Sequence, residues 1–329
     1  MGPALLLLFL SAGCRHALPV PAAPVPVLPE ASATPREATV TGFAMGGELR
    51  VVLRCVQEQA ACLAQGVAAR AEVERIEALA TDWSERGEIA RLDAQGQATV
   101  SPEVQALLQA SLRVARATRG AFDPTINALW GLYDFDAGRE PSAETLAARL
   151  PLIDWQGLQL DGDQARLRPG QSVTLGGIAQ GYAAAQALAL LPGEAMVDLS
   201  GDIAVRGAWQ VGIQHPRRPR GDALASLTLQ DAVLTTSGDY EHFFMVGDRR
   251  VHHILDPRTG RPATGATSAT VVHPDGAVAD ALATALLVLG PDPGPVQALG
   301  AWALVVTPDG AVHELGDSGA HVRELRLLP

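Results

Sequence analysis

Ala277-Val-Ala-Asp-Ala-Leu-Ala-Thr-Ala-Leu-Leu-Val-Leu289 carries one acid, Asp280, and one hydroxyl, Thr284, in an otherwise apolar run. A run that is apolar on every face predicts a helix buried all round. A carboxylate buried there without a partner costs several kcal/mol or takes up a proton. Thr284 follows one turn up the same face. Two hard oxygens on one face suit Mg2+, which takes few protein ligands and keeps water or phosphate oxygens for the rest. A helix cap or an arginine partner for Asp280 is the plainer reading of the same spacing.

Two segments upstream add chemistry. Val251-His-His-Ile-Leu-Asp-Pro-Arg-Thr-Gly-Arg-Pro262 reads as a strand ending in a turn, with His253 at the strand exit. Histidine is the usual general base near neutral pH, while Asp256-Pro257 is also ordinary turn chemistry. Thr174-Leu-Gly-Gly-Ile-Ala-Gln-Gly-Tyr182 passes from a strand through Gly176-Gly177 into an alanine-rich helix, 178–191. The glycines let a ligand approach the backbone, and a helix start presents N–H groups to an anion. A tight structural turn would use the same residues.

The remaining pattern supplies the frame. Residues 38–54 are extended and broken at Met45-Gly46-Gly47, and 57–80 read as a long helix. Ser101-Pro102-Glu103 combines an N-cap, a first-position proline and an acid, and opens a helix that ends near Thr118 and Gly120. Ser142 opens a short helix stopped by Pro151, and two short strands flank Asp161-Gly162-Asp163. Strand-like runs follow at 195–199, 203–206, 209–213, 224–229, 233–236, 251–255 and 268–273, with a last one at 302–307. Helices with mainly hairpin-linked strands indicate an α+β fold rather than a regular βαβ repeat.

Composition narrows the partners. Of 329 residues, 47% are hydrophobic and 19% charged; 36 acids against 25 bases, all arginine, leave a net charge of −11. That balance argues against nucleic acid as the main partner, yet allows phosphate held locally by helix ends, metal ions or single arginines. Cys14, Cys55 and Cys62 form no CxxC, so no zinc-ribbon or thioredoxin-like pattern exists. Cys55 and Cys62 read either as a short-loop disulfide or as two buried thiols. Ala4 to Leu10 is an apolar run too short to span a bilayer, followed by Ser11-Ala12-Gly13-Cys14. It reads as an export signal. The residues before Cys14 resemble a bacterial lipobox, whose cysteine is lipidated, although Leu10 sits one place further back than the usual leucine. Pro19 to Pro35 forms a proline-rich tether. The expected layout is a signal at 1–14, a linker at 15–37 and a folded body at 38–329, exported and lipid-anchored to a bacterial membrane, facing the periplasm or outside.

Taken in order, the segments resemble the ApbE family, the FAD:protein FMN transferases. The landmarks are Ala44-Met45-Gly46, Gly87-Glu-Ile-Ala-Arg-Leu92, Gly120-Ala-Phe-Asp-Pro-Thr125, Gly176-Gly-Ile-Ala-Gln-Gly-Tyr182, Val197-Asp-Leu-Ser-Gly-Asp202 and Thr236-Ser-Gly-Asp-Tyr240. The His252–Gly260 run and Ala279-Asp-Ala-Leu-Ala-Thr284 complete the set. The resemblance implies an α+β, T-fold-like single body of antiparallel sheets packed with helices. It implies Mg2+-dependent transfer of FMN from FAD to a threonine hydroxyl of an acceptor redox protein, with release of AMP. Asp280, Thr284 and the Ala179 carbonyl would bind Mg2+, and His253 would be the general base. Trp83, where tyrosine is common, would stack on the isoalloxazine, and Met45 would line the flavin pocket. Gly176, Gly177 and Gln180 would face the dinucleotide. Asp123 and Asp239 would shape the flavin pocket or cap local turns. The acceptor would be a membrane-linked electron-transfer subunit.

The chain also departs from the family pattern. Thr174, Gln180 and Ala185 stand where Asp, Lys and Asp are usual, Ser200 replaces a glycine, and Gly47 replaces a threonine. Gln180 can hydrogen-bond but brings no charge to a diphosphate, so weaker FAD binding or a lower rate is expected unless an arginine substitutes. Alternatives of neighbouring and of different class are Mg2+-dependent hydrolysis of FAD to FMN and AMP, and a lipoprotein that binds flavin without catalysis.

Overall fold

The computed structural model of the chain describes residues 36–81 and 87–329. The expected export signal, Cys14, most of the tether and the expected stacking residue Trp83 lie outside the described residues.

Met45 and Gly46 have positive φ, 51° and 80°, the backbone twist that a two-residue hairpin turn requires. They join β1 (Arg36–Ala44) to β2 (Gly47–Cys55), with Ala44 opposite Gly47. The long helix α1 (Gln59–Ala80) buries Cys62, Ala69, Val73 and Ile76 and packs on this hairpin. Cys55 and Cys62 are joined in a disulfide. After α2 (Glu88–Gln95) and β3 (Gln97–Thr99) comes α3 (Pro102–Ala117). It opens as its sequence requires: the Ser101 hydroxyl accepts the Val104 N–H and Pro102 fills the first turn. Ser142 caps α4 (Ala143–Arg149), and β4 (Gln159–Asp161) and β5 (Gln164–Arg166) form a small sheet with β3.

The segment before α5 (Ala179–Ala189) belongs to no sheet, although its sequence suggested a strand. Its backbone groups are taken elsewhere: the Val173 N–H by the Asp93 carboxylate and the Thr174 N–H by the Pro124 carbonyl. β6 (Ala195–Leu199) leads to β7 (Asp202–Gln214) and β8 (Ala223–Gly238). The expected runs 203–206 and 209–213 are the two halves of β7, parted by a bulge at Gly207, where φ is 83°. Asp231, on β8 with φ 47°, accepts the Gly207 N–H at 2.7 Å and interrupts the pattern there too. Beyond the bulge, Val211, Ile213, Leu224 and Leu227 pack in one cluster with Val52, Met196, Trp302 and Leu304.

β9 (Phe243–Val246) and β10 (Arg249–His252) form a separate hairpin, and β11 (Leu255–Asp256) pairs with β12 (Arg261–Pro262). The expected run 251–255 is therefore interrupted at His253 and Ile254. β13 (Ser268–His273), α6 (Gly276–Leu289), α7 (Pro293–Leu299), β14 (Trp302–Val306), β15 (Val312–Gly316) and β16 (Val322–Leu327) complete the body. The main sheet runs β1-β2-β6-β7-β8-β13-β14-β15 with β16 on β8, all pairs antiparallel. α6 packs on β8 and β13 and against α3 and α5. Its Leu282, Leu286 and Leu287 have no exposed surface, and burying each adds about 1.5–3 kcal/mol. That cover is thinnest at Thr284 and Leu289, which are only half-buried.

Candidate active site

A pair of glycines brings α5 and α6 together. A side chain on Gly181 would collide with the Gly276 carbonyl and the Asp280 Cβ, and one on Gly276 would collide with the Gly181 carbonyl. The close approach puts the Asp280 carboxylate at the first turn of α5. There it accepts the N–H of Gly181 at 3.1 Å and a further backbone N–H from Gln180. The N–H groups expected to meet a ligand anion are thus given to an acid of the chain, a favourable place for negative charge.

Neither plain reading of Asp280 holds. α6 is capped by Asp275, whose carboxylate accepts the N–H groups of Ala277 and Val278. No arginine lies among the groups acting on Asp280. Beside it is another acid, Asp202, at the start of β7, and the two residues are each 7% exposed. Burial first, and then the charge of Asp280, hold the Asp202 carboxyl well above the usual range. Burial raises Asp280 as well, against the pull of its two backbone N–H bonds. Asp202 was visible in the sequence only as the last residue of a landmark; an acid at a strand start resembles a turn residue until its spatial neighbour is known.

Thr284 sits one turn along α6, its hydroxyl 3.2 Å from that of Ser237 on β8. A side chain at Gly177 would meet the Phe122 ring and Thr284, so the Gly176-Gly177 turn runs directly beside this pair. Ala179 is buried at the start of α5. The structure therefore brings Gly177, Ala179, Gln180, Asp280 and Thr284 into one place and adds Asp202 and Ser237. Carboxylates and hydroxyls with no cation from the chain form a donor set that fits Mg2+. Clusters of three or more His, Cys, Asp or Glu, the pattern of many transition-metal sites, are absent among the described residues.

Met45 lies at the edge of the same place. Its side chain packs against both core clusters beneath the helices, and its carbonyl accepts the Gln180 side-chain N–H at 3.2 Å. Gln180 thus clips the hairpin turn to α5. Two departures from the family pattern compensate each other here. The Ser200 hydroxyl occupies the space that a side chain on residue 47 would need, so serine at 200 goes with glycine at 47.

His253 stands at the exit of β10, exposed, with Nδ1 3.3 Å from the His242 carbonyl. A carbonyl can only accept, so Nδ1 carries the proton and Nε2 keeps its lone pair. Burial by the surrounding protein pushes the His253 pKa down; its bond to the His242 carbonyl pulls the other way, and the charges of His252 and His242 add to the downward push. The next residue, Ile254, is buried in the core cluster that also holds Phe122, Ala179 and Leu282.

Asp123 and Asp239 are differently engaged. Asp123 caps a short 3-10 turn, accepting from the Thr125 N–H and hydroxyl and from the Trp155 N–H. Its neighbour Phe122, not Asp123, is what Gly177 meets. Asp239 is held by Arg217 and Arg250.

Residues 45–299 match the family model described as the ApbE family. The chain belongs to that family. A protein of Treponema pallidum called FAD:protein FMN transferase is 33% identical over 235 residues, 61% of this chain and 65% of that protein. One of Klebsiella pneumoniae with the same name is 28% identical over 291 residues, 82% of each. The chain thus spans slightly less than two-thirds of the Treponema protein. The crystal structure of an ApbE protein from Thermotoga maritima matches with a TM-score of 0.78 at 29% identity, covering 85% of this chain and 97% of that one. The apo flavinyl transferase ApbE of Pseudomonas stutzeri matches with a TM-score of 0.74 at 26% identity, covering 85% and 95%. The ApbE fold is the mixed arrangement of helices and antiparallel sheets described above.

Proposed function

We propose that this ApbE-family protein transfers FMN from FAD to a threonine hydroxyl of an acceptor protein, with AMP leaving. The observation that carries the reading is the Asp280–Thr284 pair, with Asp280 buried against the start of α5 and given no arginine and the half-buried Thr284 one turn along. Asp280, Thr284 and the Ala179 carbonyl would hold Mg2+, which when bound neutralises the diphosphate and stabilises charge at the phosphorus under attack. The exposed Gly176 would leave the backbone open to the dinucleotide, Gly177 lets the turn pass close to Thr284, and Met45 and Trp83 would flank the flavin. His253, neutral at physiological pH and holding its Nδ1 proton on the His242 carbonyl, takes the acceptor hydroxyl proton at Nε2. The threonine oxygen bonds to the FMN phosphorus, and the bond from that phosphorus to the AMP oxygen breaks. The Cys55–Cys62 disulfide supports an oxidising compartment and so export; the lipid anchor at Cys14 and the membrane-linked electron-transfer acceptor are supported only by the lipobox-like Ser11–Cys14 run and the family resemblance.

The test is incubation with FAD, Mg2+ and a candidate acceptor domain, followed by intact mass of the acceptor and assay of AMP. Transfer gives an acceptor heavier by one FMN and an equal amount of AMP. AMP with free FMN and an unmodified acceptor would mean hydrolysis, and no AMP would mean binding alone.

A further inference from the structure

The sheet beneath α6 carries polar groups that the reading above leaves unused. β7 and β8 pair with Ile203 opposite Leu234, so Asp202 stands across from Thr235. Side chains alternate along a strand, so Asp202, Thr235 and Ser237 leave the sheet on one face. It is the face covered by the helices, since α5 packs on β7 and α6 on β8. Asp202 is 7% exposed and Thr235 1%. Asp202 accepts one backbone N–H, from Thr236, and feels the charge of Asp280. The Thr235 hydroxyl has no hydrogen-bond partner. A buried polar group left unsatisfied is costly, and two buried carboxylates side by side repel each other. No arginine acts on either acid among the described residues. A single positive charge would balance Asp280 alone; the pair is balanced by a divalent cation.

We propose that Asp202 and Thr235 form the sheet half of a divalent-cation site whose helix half is Asp280 and Thr284. The inference rests on the reading of that helix pair as the cation site. Asp202 is a positioning residue: it supplies the second negative charge that favours a divalent over a monovalent ion. Thr235 holds a water of the ion's shell, which satisfies its hydroxyl.

The experiment is Mn2+ titration of the purified protein followed by electron paramagnetic resonance, with and without ADP, beside melting curves in chelator. The variants are Asp202→Asn, Thr235→Val and Asp280→Asn. Asp202→Asn keeps the shape and the acceptor for the Thr236 N–H, so a purely structural role predicts unchanged Mn2+ affinity. The expected result is Mn2+ binding weakened about 10–100-fold, the range for residues behind a metal's direct ligands, together with a higher melting temperature in chelator. Thr235→Val weakens Mn2+ binding by a smaller factor. Asp202→Ser, smaller and uncharged, gives the same readout if Asp202→Asn does not fold. Mn2+ affinity unchanged in the Asp202 variants but lost in Asp280→Asn overturns this proposal and leaves the helix pair standing. Equal affinity in wild type and Asp280→Asn overturns both.

Discussion

Asp239 and Asp280 are equally buried, 8% and 7% exposed, and are treated in opposite ways. Asp239 accepts two bonds from Arg217, at 2.6 and 2.7 Å, and a third from Arg250 at 3.2 Å. Asp280 accepts backbone N–H groups and faces another acid. The arginines come from the loop after β7 and from β10, so Asp239 fastens two distant pieces of chain together. Where an acid has only to hold the fold, the fold supplies a permanent cation. On the proposed reading, an arginine at Asp280 would occupy the place that the ion takes. The lack of an arginine partner among the described residues is, on that reading, what leaves room for the ion, and binding would offset the cost of the two neighbouring acids.

Exchanging the two roles is the strongest way to break this contrast. Asp280→Asn keeps shape and hydrogen-bonding capacity but removes charge. We expect it to fold, to melt no lower than wild type, and to lose AMP release from FAD by about a thousandfold, since metal assistance to phosphoryl transfer is worth several kcal/mol. Asp239→Asn should do the reverse. It leaves Arg217 and Arg250 facing a neutral amide, and both are partly hydrated. The cost should be about 2 kcal/mol, below the range for a fully buried pair, or a melting temperature lower by roughly 4–8 °C. Its AMP release below the melting transition should fall far less than that of Asp280→Asn. Melting curves and AMP assays on both variants check the pair, and an active Asp280→Asn protein would contradict the metal reading.

The sequence made the local parts of this arrangement readable and left the long-range parts hidden. α6 was legible because an apolar run on every face has one physical solution. The first hairpin and α3 were legible because Met45-Gly46 and Ser101-Pro102 satisfy turn and cap geometry by themselves. β7 and β8 read as four runs because the Gly207–Asp231 bulge looks like a strand end when its hydrogen bond is unseen. α2, α7, β15 and β16 were not anticipated; they are short, and their burial comes from the rest of the body. Asp202 stands out in the sequence only as a landmark residue for the same reason: Asp280 and Thr235 are its neighbours in space and not in sequence. Gly47 and Ser200 looked like two losses, and only the pairing of β2 with β6 makes them one fitted contact.

The Asp239 region also carries a buried histidine with a pH signature of its own. His252 is 2% exposed and donates its Nε2 proton to the Ala263 carbonyl. Burial lowers its pKa, and the bond to the Ala263 carbonyl and then the nearby Asp239 charge only partly counter this. The folded pKa lies below the unfolded value of about 6.5, so the unfolded chain binds the proton more tightly. The stability associated with neutral His252 is complete above about pH 6.5 and is lost as pH falls toward the folded pKa. We expect the wild-type melting temperature to drop more steeply than that of His252→Gln between pH 7 and pH 5. Parallel slopes in the two melting series would count against a neutral, buried His252.

The finest test adds to the Asp280 region what the Asp239 region already has. Gln180→Lys restores the cation usual in the family, beside the first turn of α5 and within reach of the Met45 carbonyl that Gln180 now holds. Position 180 is half-buried, so the new ammonium stays partly hydrated and its attraction to a diphosphate is worth about 1 kcal/mol. FAD should bind roughly five times more tightly by that figure. Without FAD the added charge stands on the turn whose backbone N–H groups hold Asp280 and should weaken Mn2+ binding, because a nearby ammonium and a divalent ion repel each other. The two shifts have opposite signs, and no general change in stability produces both. Calorimetry with FAD and Mn2+ titration on Gln180→Lys read them separately. If FAD affinity does not change while the variant folds normally, the diphosphate does not pass residue 180, and the start of α5 is not the face the ligand meets.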